Sequence, residues 1–545
     1  MAEAATATPP ELPTKPIPEG FTARTEGKAT ILQHGNDVFY NPAQVINRDL
    51  SIAVLRYFAA LRATEPAPTG RAAHRARRAS PTNAAEVSTP PTRPGLTVLE
   101  GLAASGLRAI RYAQEVPGLA RVVANDLDPS VVEALRRNVA FNGAPAVDLV
   151  EPSVGDARLV MLRRAGEFDA VDLDPYGSPS QLLDSAVQAV ADGGLLLCTA
   201  TDMAVLCGNN SETCFAKYGA YPLHKPYCHE QALRILLGAI ETAAARYKRH
   251  IVPLVSLSID FYVRVFVRVY TNANEVKNSA TRMGYVWQSQ GCDSFYWQRM
   301  GRRLIKGSSV KYAPGSGPAV PQACPETGAG FTMGGPFWAE ALHSAEALAG
   351  ILQVLRSDRA AFPAYAKVHS ILTAASEELL DAPLYVNLHD VCKTLKCSAP
   401  RAEALRSAIV NAGYRVSSTH ACALGLKTDC PWNVFWDIMR CWIAEHPVKN
   451  VLPGSCLEKI LAKAPEHKAN FARATSALSK ARTSKVARYL PNPEANWGPK
   501  PKHGRGPKQA EAGAQVGAAN GAHKPSPDED GGAEAVQEVK VAAPQ

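Results

Sequence analysis

Asp172-Leu173-Asp174-Pro175-Tyr176-Gly177-Ser178-Pro179 is the stretch richest in usable chemistry. Asp174 brings a carboxylate, Pro175 a backbone carbonyl on a chain of restricted φ, and Tyr176 an aromatic face. That set suits a planar base bearing an exocyclic amine. The carboxylate and the carbonyl accept from the amine and the ring stacks on the base, as in enzymes that read a flipped base. The same residues also make an ordinary turn, because Asp-Pro and Gly-Ser-Pro favour chain reversal. The elements upstream decide between the two.

Residues 168–171 read as the end of a buried strand, so the motif opens at a strand's carboxyl edge, where open α/β sheets bind ligands. Earlier strands are expected at 96–100, 121–124 and 147–151, and a later one at 195–199. Helices are expected at 107–115, 130–142, from 157 to Arg163, and at 180–190. This alternation predicts an α/β fold with a parallel, doubly wound sheet. Two further β-rich runs, 251–258 and 260–270, suit an antiparallel edge. Near the N-terminus Glu26 to Ile31 look like a strand entry, and Gly-Asn-Asp within His34 to Phe39 is a hairpin or turn signal.

Each strand end carries something a nucleoside can use. Gly101 to Gly106 form a loop that lets backbone approach a ligand at a helix N-terminus. Asp126 can accept from both hydroxyls of a ribose, and Asp156 in Gly155-Asp156-Ala157 from an adenine amine. A dinucleotide fingerprint is incomplete, with Ala103 in place of the middle glycine, and no pyrophosphate cradle is evident. A nucleoside cofactor without phosphates fits better, which points to S-adenosyl-L-methionine.

The sequence resembles the tRNA (guanine-26-N2)-dimethyltransferases. The resemblance rests on Phe39-Tyr40-Asn41-Pro42 with Asn47-Arg48-Asp49, on Glu100 to Tyr112, and on Asn125-Asp126, Asn138 to Asn142 and Gly155-Asp156-Ala157. It continues through the 172–179 motif, Thr199-Ala200-Thr201-Asp202, Tyr218-Gly219, Gly334 to Trp338 and Gly425 to Asp429. It implies a class I, Rossmann-like methyltransferase domain over 21–275, interrupted by an insertion at 62–95, then a mixed α/β tRNA-binding domain over 276–490. It also implies that Arg48, Arg108, Asp126, Asp156 and Ala157 contact S-adenosyl-L-methionine. Taken alone, Asn47-Arg48-Asp49 reads instead as a solvated helix start with a local ion pair.

The implied reaction is methyl transfer to the exocyclic N2 of guanine-26 in tRNA, giving N2,N2-dimethylguanosine. Asp174, Pro175 and Tyr176 are its catalytic residues. Two alternatives remain: an N6-adenine methyltransferase, since Asp-Pro-Tyr also suits that amine, and a tRNA-binding protein without catalysis.

The family pattern includes two Cys-x-x-Cys pairs, the spacing of a structural zinc site. Here they read Ser289-Gln290-Gly291-Cys292 and Cys324-Pro325-Glu326-Thr327, one cysteine short in each. No metal is expected, and Trp287, Phe295, Tyr296, Trp297 and Trp338 are expected to hold this region by packing. Cys228 and His229 lack a visible partner set and read as a helix start. A winged-helix module is expected from 385, with a wing strand at 414–420.

Composition sets the outer bounds. The chain has 545 residues, 46% hydrophobic, with net charge +9 and pI ≈ 8.9, enough for more than one domain and suited to a polyanionic partner. Twelve cysteines without a regular framework point to a reducing compartment. No apolar run is long enough to span a bilayer. Residues 1–20, 62–95 and 491–545 have compositions that cannot bury enough surface to order themselves. Glu3, Glu11 and Glu19 argue against a transit peptide. Basic residues interleaved with aromatics from Tyr414 through Lys427 to His446 suit RNA contact, or a packing domain with a solvated basic face. Lys480, Arg482, Lys485 and Arg488 extend that candidate RNA track. Lys500 to Lys508 suit a nuclear address, a nonspecific RNA tether or a plain tail, with mitochondrion or cytoplasm as alternative locations. The chain is expected to act on tRNA as a monomer.

Overall fold

The computed structural model describes residues 15–34, 40–66, 95–317, 320–477 and 486–493. The expected Gly-Asn-Asp turn, residues 67–94, Lys480, Arg482, Lys485 and the chain beyond 493 lie outside the described residues, as do residues 1–14.

Strands buried on both faces need apolar residues at every position, and the central runs supply them. They form a seven-stranded sheet in the order β5-β4-β3-β6-β7-β9-β8. The strands are β3 (Leu96–Glu100), β4 (Leu119–Asp126), β5 (Val150–Val154), β6 (Phe168–Leu173), β7 (Val190–Ala200), β8 (Arg249–Ile259) and β9 (Tyr262–Thr271). The first five in spatial order run parallel. β9 is antiparallel to both neighbours, pairing Thr199 with Arg264 and Leu195 with Arg268. The expected antiparallel edge is therefore present, as a hairpin whose second strand lies inside the sheet.

Successive side chains leave a strand on opposite faces. Val98 joins one core and Leu99 the other; Leu195 and Leu197 join the first, Leu196 and Cys198 the second. Helices α1 (Val45–Thr64), α2 (Leu107–Glu115) and α3 (Pro129–Asn142) cover the first face. Helices α4 (Ala157–Arg163) and α5 (Ser180–Ala189) cover the second, with α6 (Ser211–Tyr218) and α7 (Cys228–Ala245). Downstream helices α8 (Ala345–Ser357) and α9 (Tyr365–Ser376) return to the first face and share the core of α1.

Local expectations needed correction in three places. The strand entry expected over Glu26 to Ile31 is the turn and second half of a hairpin, β1 (Thr22–Glu26) and β2 (Ala29–Gln33), turning at Gly27 with φ +56. Residues 146–149 are helical, and β5 runs on to Val154, where Gly155 N donates to Asp126 O at 2.9 Å. Helix α1 continues into the expected insertion: Arg62 is buried, and its guanidinium bonds Glu65 Oε2 and the Asp192 carbonyl, both at 2.7 Å.

Beyond the sheet, β10 (Met283–Ser289), β11 (Phe295–Arg299) and β14 (Phe331–Trp338) form one sheet, and β12 (Gly301–Lys306) pairs with β13 (Ser309–Pro314). A third core gathers around the fully buried Trp436. There β15 (Val386–Asn387), helices α10 (Leu388–Thr394) and α11 (Ala402–Asn411), and strands β16 (Val416–Thr419) and β17 (Cys422–Thr428) follow in winged-helix order.

Candidate active site

Three loops meet at the carboxyl edge of the sheet. After β3, Gly101 N donates to Asp172 O at 2.9 Å. Gly106 caps α2 at φ +74, a conformation that favours glycine. A Cβ there would come within 2.7 Å of Leu135 Cγ. After β4, Asp126 accepts from Ala104 N at 2.9 Å and Asp128 N at 3.2 Å. After β5, Asp156 caps α4, accepting from Arg158 N at 2.8 Å, and Ala157 is buried.

These residues suit a nucleoside. Each carboxylate has about four lone-pair sites, so Asp126 keeps acceptor capacity beyond its two backbone donors. Asp156 is paired with the Arg158 guanidinium at 2.6 Å in a solvent-facing contact, which an incoming amine can displace at little cost.

The 172–179 motif is set over a buried ionic cluster. Arg108, 6% exposed, bonds Asp174 Oδ2, Asn47 Oδ1 at 3.1 Å and Ser51 Oγ at 2.9 Å. Asn47 Nδ2 also donates to Asp174 Oδ2, at 3.4 Å. Below, Asp172 accepts from Arg264 at 2.9 Å and the Tyr112 hydroxyl at 2.5 Å. Glu100 lies 3.5 Å from Arg108. Burial alone would raise Asp172's carboxyl, but Arg264, Arg108 and the Tyr112 hydroxyl outweigh it and hold it below its ordinary value. Burial, helped by Asp172 and Asp174, pushes Glu100 well above the usual carboxylate range despite Arg108. Two arginines thus face two aspartates and a glutamate carboxyl that burial drives toward its neutral form.

Only Asp174 reaches the surface from this cluster, its side chain 24% exposed. Arg108 and Asn47 occupy Oδ2, while Oδ1 and the Pro175 carbonyl take no hydrogen bond among the described residues. Beside them Tyr176 is 50% exposed. The loop is braced from behind. Gly177 N donates to Thr201 Oγ1 at 2.7 Å, Ser178 Oγ bonds the Tyr218 hydroxyl at 2.8 Å, and Tyr218 donates to Asp202 Oδ1 at 2.8 Å. A turn alone would need none of this.

Asn47, Arg48 and Asp49 are all buried, so the solvated-helix reading is wrong. They fan out to different partners. Asn47 goes to Arg108 and Asp174, Arg48 to Glu26 at 2.6 Å, and Asp49 to Arg111 at 2.8 Å and Ala364 N at 2.6 Å. Arg48 Nη1 takes no acceptor among the described residues.

Residues 21–440 match the family described as "TRM: N2,N2-dimethylguanosine tRNA methyltransferase". The chain belongs to the N2,N2-dimethylguanosine tRNA methyltransferase family. It is accordingly an enzyme that methylates guanine in tRNA. Two relatives from Arabidopsis thaliana, tRNA (guanine(26)-N(2))-dimethyltransferases 1 and 2, are each 49% identical over 517 residues. The match spans 88% of this chain in both cases, and 87% and 88% of the relatives. A solved structure of Trm1 from Pyrococcus horikoshii with S-adenosyl-L-methionine superposes with TM-score 0.61 at 27% identity, covering 76% of this chain and 98% of that one.

Elsewhere, this dimethyltransferase family member departs from simple expectation. Cys292 and Cys324 meet with sulfurs 3.6 Å apart, and the hydroxyls of Ser289 and Ser294 stand 3.5 and 3.2 Å from Cys292. Hydroxyls thus surround the two thiols. Nearby aromatics interlock, Phe295 meeting Trp432 edge-on at 5.3 Å and Tyr227 at 5.1 Å. Cys228 and His229 do gain a neighbour: with Cys207 their ligand atoms lie within 4.8 Å of one another. Two candidate RNA contacts are buried instead. Lys427 pairs with Glu230 at 2.8 Å, and Arg488 with Glu377 at 2.6 Å. No helix among the described residues is long and apolar enough to cross a membrane.

Proposed function

We propose that the sheet edge holds S-adenosyl-L-methionine against the N2 amine of guanine-26 and that Asp174, Pro175 and Tyr176 hold that guanine. The reaction gives N2,N2-dimethylguanosine in tRNA. The donor supplies an electrophilic methyl group on a sulfonium whose charge disappears on transfer. Asp126 accepts from its ribose, Asp156 from its adenine amine, and Gly101 and Gly106 keep the loop open with Ala157 packed beneath. Arg48 offers Nη1 and Arg108 stands below Asp174.

The guanine amine is a poor nucleophile because its lone pair is delocalised into the ring. Asp174 Oδ1 and the Pro175 carbonyl, accepting from its two N–H groups, favour a pyramidal nitrogen and free that lone pair. Positioning then does more than base strength. Asp174 takes the proton late and passes it to water. Tyr176 stacks on the base. For the second methyl, the monomethyl amine rebinds or rotates with its one remaining N–H on one of these two acceptors. The observation that carries this reading is the Asp174 carboxylate, one oxygen clamped by Arg108 and Asn47 and the other open beside an exposed ring.

The enzyme works as a monomer, and the basic segment from Lys500 to Lys508 directs it to the nucleus. The test is methyl transfer from labelled S-adenosyl-L-methionine to an unmodified tRNA transcript and to the same transcript with adenine at position 26. Dimethylguanosine from the first and no product from the second is expected. Methyladenosine from either transcript, or no transfer to either, would overturn the reading.

A further inference from the structure

The brace behind the substrate loop ends in two aromatic rings that nothing in the proposed reaction uses. Helix α6 reaches the loop through Tyr218, whose hydroxyl meets Ser178. One turn earlier Phe215 is 53% exposed, and three residues later Tyr221 is 47% exposed. Their rings stack, with centroids 5.3 Å apart and planes 26° from parallel. Tyr221 is fixed by its backbone, which exchanges hydrogen bonds of 2.9 and 2.8 Å with Gly335. Lys225 is exposed four residues on, and the acid that feels its charge, Asp293, accepts from the Thr394 hydroxyl instead. Single exposed apolar side chains need no explanation. Here two rings stack half in water, Phe215 on the helix whose Tyr218 bonds the loop that carries Tyr176 and Tyr221 on the segment that pairs with Gly335.

We propose that Phe215 and Tyr221 form a stacking platform for an unpaired tRNA base next to the target guanine, with Lys225 facing the adjoining phosphate. Extracting one base from a folded RNA leaves its neighbour with an uncovered face. Aromatic side chains are the usual partners for such faces because stacking tolerates any base. The platform is continuous with the loop that holds the guanine, so the tRNA already bound there is its occupant. This rests on the reading of Asp174 to Tyr176 as the guanine site.

The test uses the full chain, a tRNA transcript carrying 2-aminopurine beside position 26, and three variants: Phe215→Ala/Tyr221→Ala, Phe215→Trp/Tyr221→Phe, and Lys225→Ala. The double alanine variant is expected to raise the KM for tRNA about tenfold or more, the range seen when one stacking aromatic is removed. Its kcat at saturating tRNA and its affinity for S-adenosyl-L-methionine stay near wild type. The 2-aminopurine quench seen with wild type disappears in it and persists in the aromatic-for-aromatic variant. A double alanine variant with unchanged KM and quench overturns the platform, and so does an aromatic variant that loses both. Lys225→Ala is expected to raise KM by a smaller factor and reduce its salt dependence; an unchanged salt dependence removes Lys225 from the proposal. If wild type binds tRNA through these rings yet methylates another atom, the platform stands and the guanine reading falls.

Discussion

Two buried ionic clusters in this molecule use the same side-chain chemistry to different ends. The first, at the sheet edge, joins Arg108, Arg264, Asp172, Glu100 and Asp174. The second, at the junction of β8 with the winged-helix strands, joins Glu378, His420, His343, Lys427 and Glu230. Glu378 bonds His420 Nδ1 at 2.6 Å and Thr419 Oγ1 at 3.2 Å, and lies 3.8 Å from Lys427. Every member of the second cluster is buried, whereas the first sends Asp174 to the surface. One open carboxylate oxygen makes the difference between a site and a clamp.

The second cluster looks like a metal site, with ligand atoms of His343, Glu378 and His420 within 4.8 Å of one another. Its hydrogen bonds argue otherwise. Ser256 N donates to His343 Nδ1 at 3.2 Å and Ser258 N to His420 Nε2 at 3.1 Å. Metal-bound histidines normally donate their second N–H outward. Here backbone donors occupy that nitrogen, so each ring keeps its proton on the nitrogen facing Glu378, and a metal would have to displace both.

The comparison can be broken by removing its members. Glu378→Ala leaves Lys427 and His420 without their shared partner, and is expected to cost about 3–5 kcal/mol of stability. The kcat of the remaining folded enzyme should stay within about threefold, because every member of that cluster is buried away from the open sheet edge. Chemical denaturation and active-site-normalised kinetics check both parts. Asp126→Ala, at the open edge, should weaken binding of S-adenosyl-L-methionine by roughly 1.5–3 kcal/mol, the worth of charged hydrogen bonds. Calorimetric titration measures it, and unchanged affinity would remove Asp126 from the cofactor site.

A pH test sharpens the contrast. Burial holds His343 neutral, pushed down to about 3, with Glu378 and Glu230 opposing the shift and His420 and Lys427 adding to it. A depressed folded value means the unfolded chain takes the proton first. Stability from this group is therefore full above about pH 6.5 and is lost as pH falls toward about 3. From pH 7 to 5 the loss is about 2 kcal/mol. His343→Gln, whose amide oxygen can still accept from Ser256 N, should lack that loss, as read from urea midpoints at the two pH values. Below about pH 4.5 a further fall follows. Burial would raise Glu378, but His420 and Lys427 hold it below its ordinary value, so it too favours the folded state only when ionised.

Much of the open sheet edge was legible because its acids follow parallel strands, and a doubly wound sheet delivers every such strand end to one edge. Gly101, Asp126, Asp156 and Asp174 could be placed from order alone. The cations that pair with Asp172 and Asp174 could not. Arg264 lies in the run Tyr262–Thr271 and meets Asp172 only because β9 enters the sheet beside β7. The available signal was an arginine at positions 264 and 268 of an otherwise apolar strand, since a buried guanidinium requires an acid. Arg268 finds Glu65 at 2.6 Å. Lys427 and Arg488 misled for the mirror reason: charge in the sequence suggested a solvated RNA face, and long-range pairing buried both.

The open oxygen of Asp174 is tested most directly by Asp174→Ala measured three ways: single-turnover methylation of tRNA, affinity for S-adenosyl-L-methionine, and the unfolding midpoint. With Asp174 gone, Glu100 can ionise beside Arg108, so stability and cofactor affinity should change little. The methylation rate should fall about 10²- to 10⁴-fold, the range for loss of a positioned catalytic group. A rate within fivefold of wild type, or a variant that unfolds before it loses activity, would contradict the claim that this oxygen acts on the substrate amine.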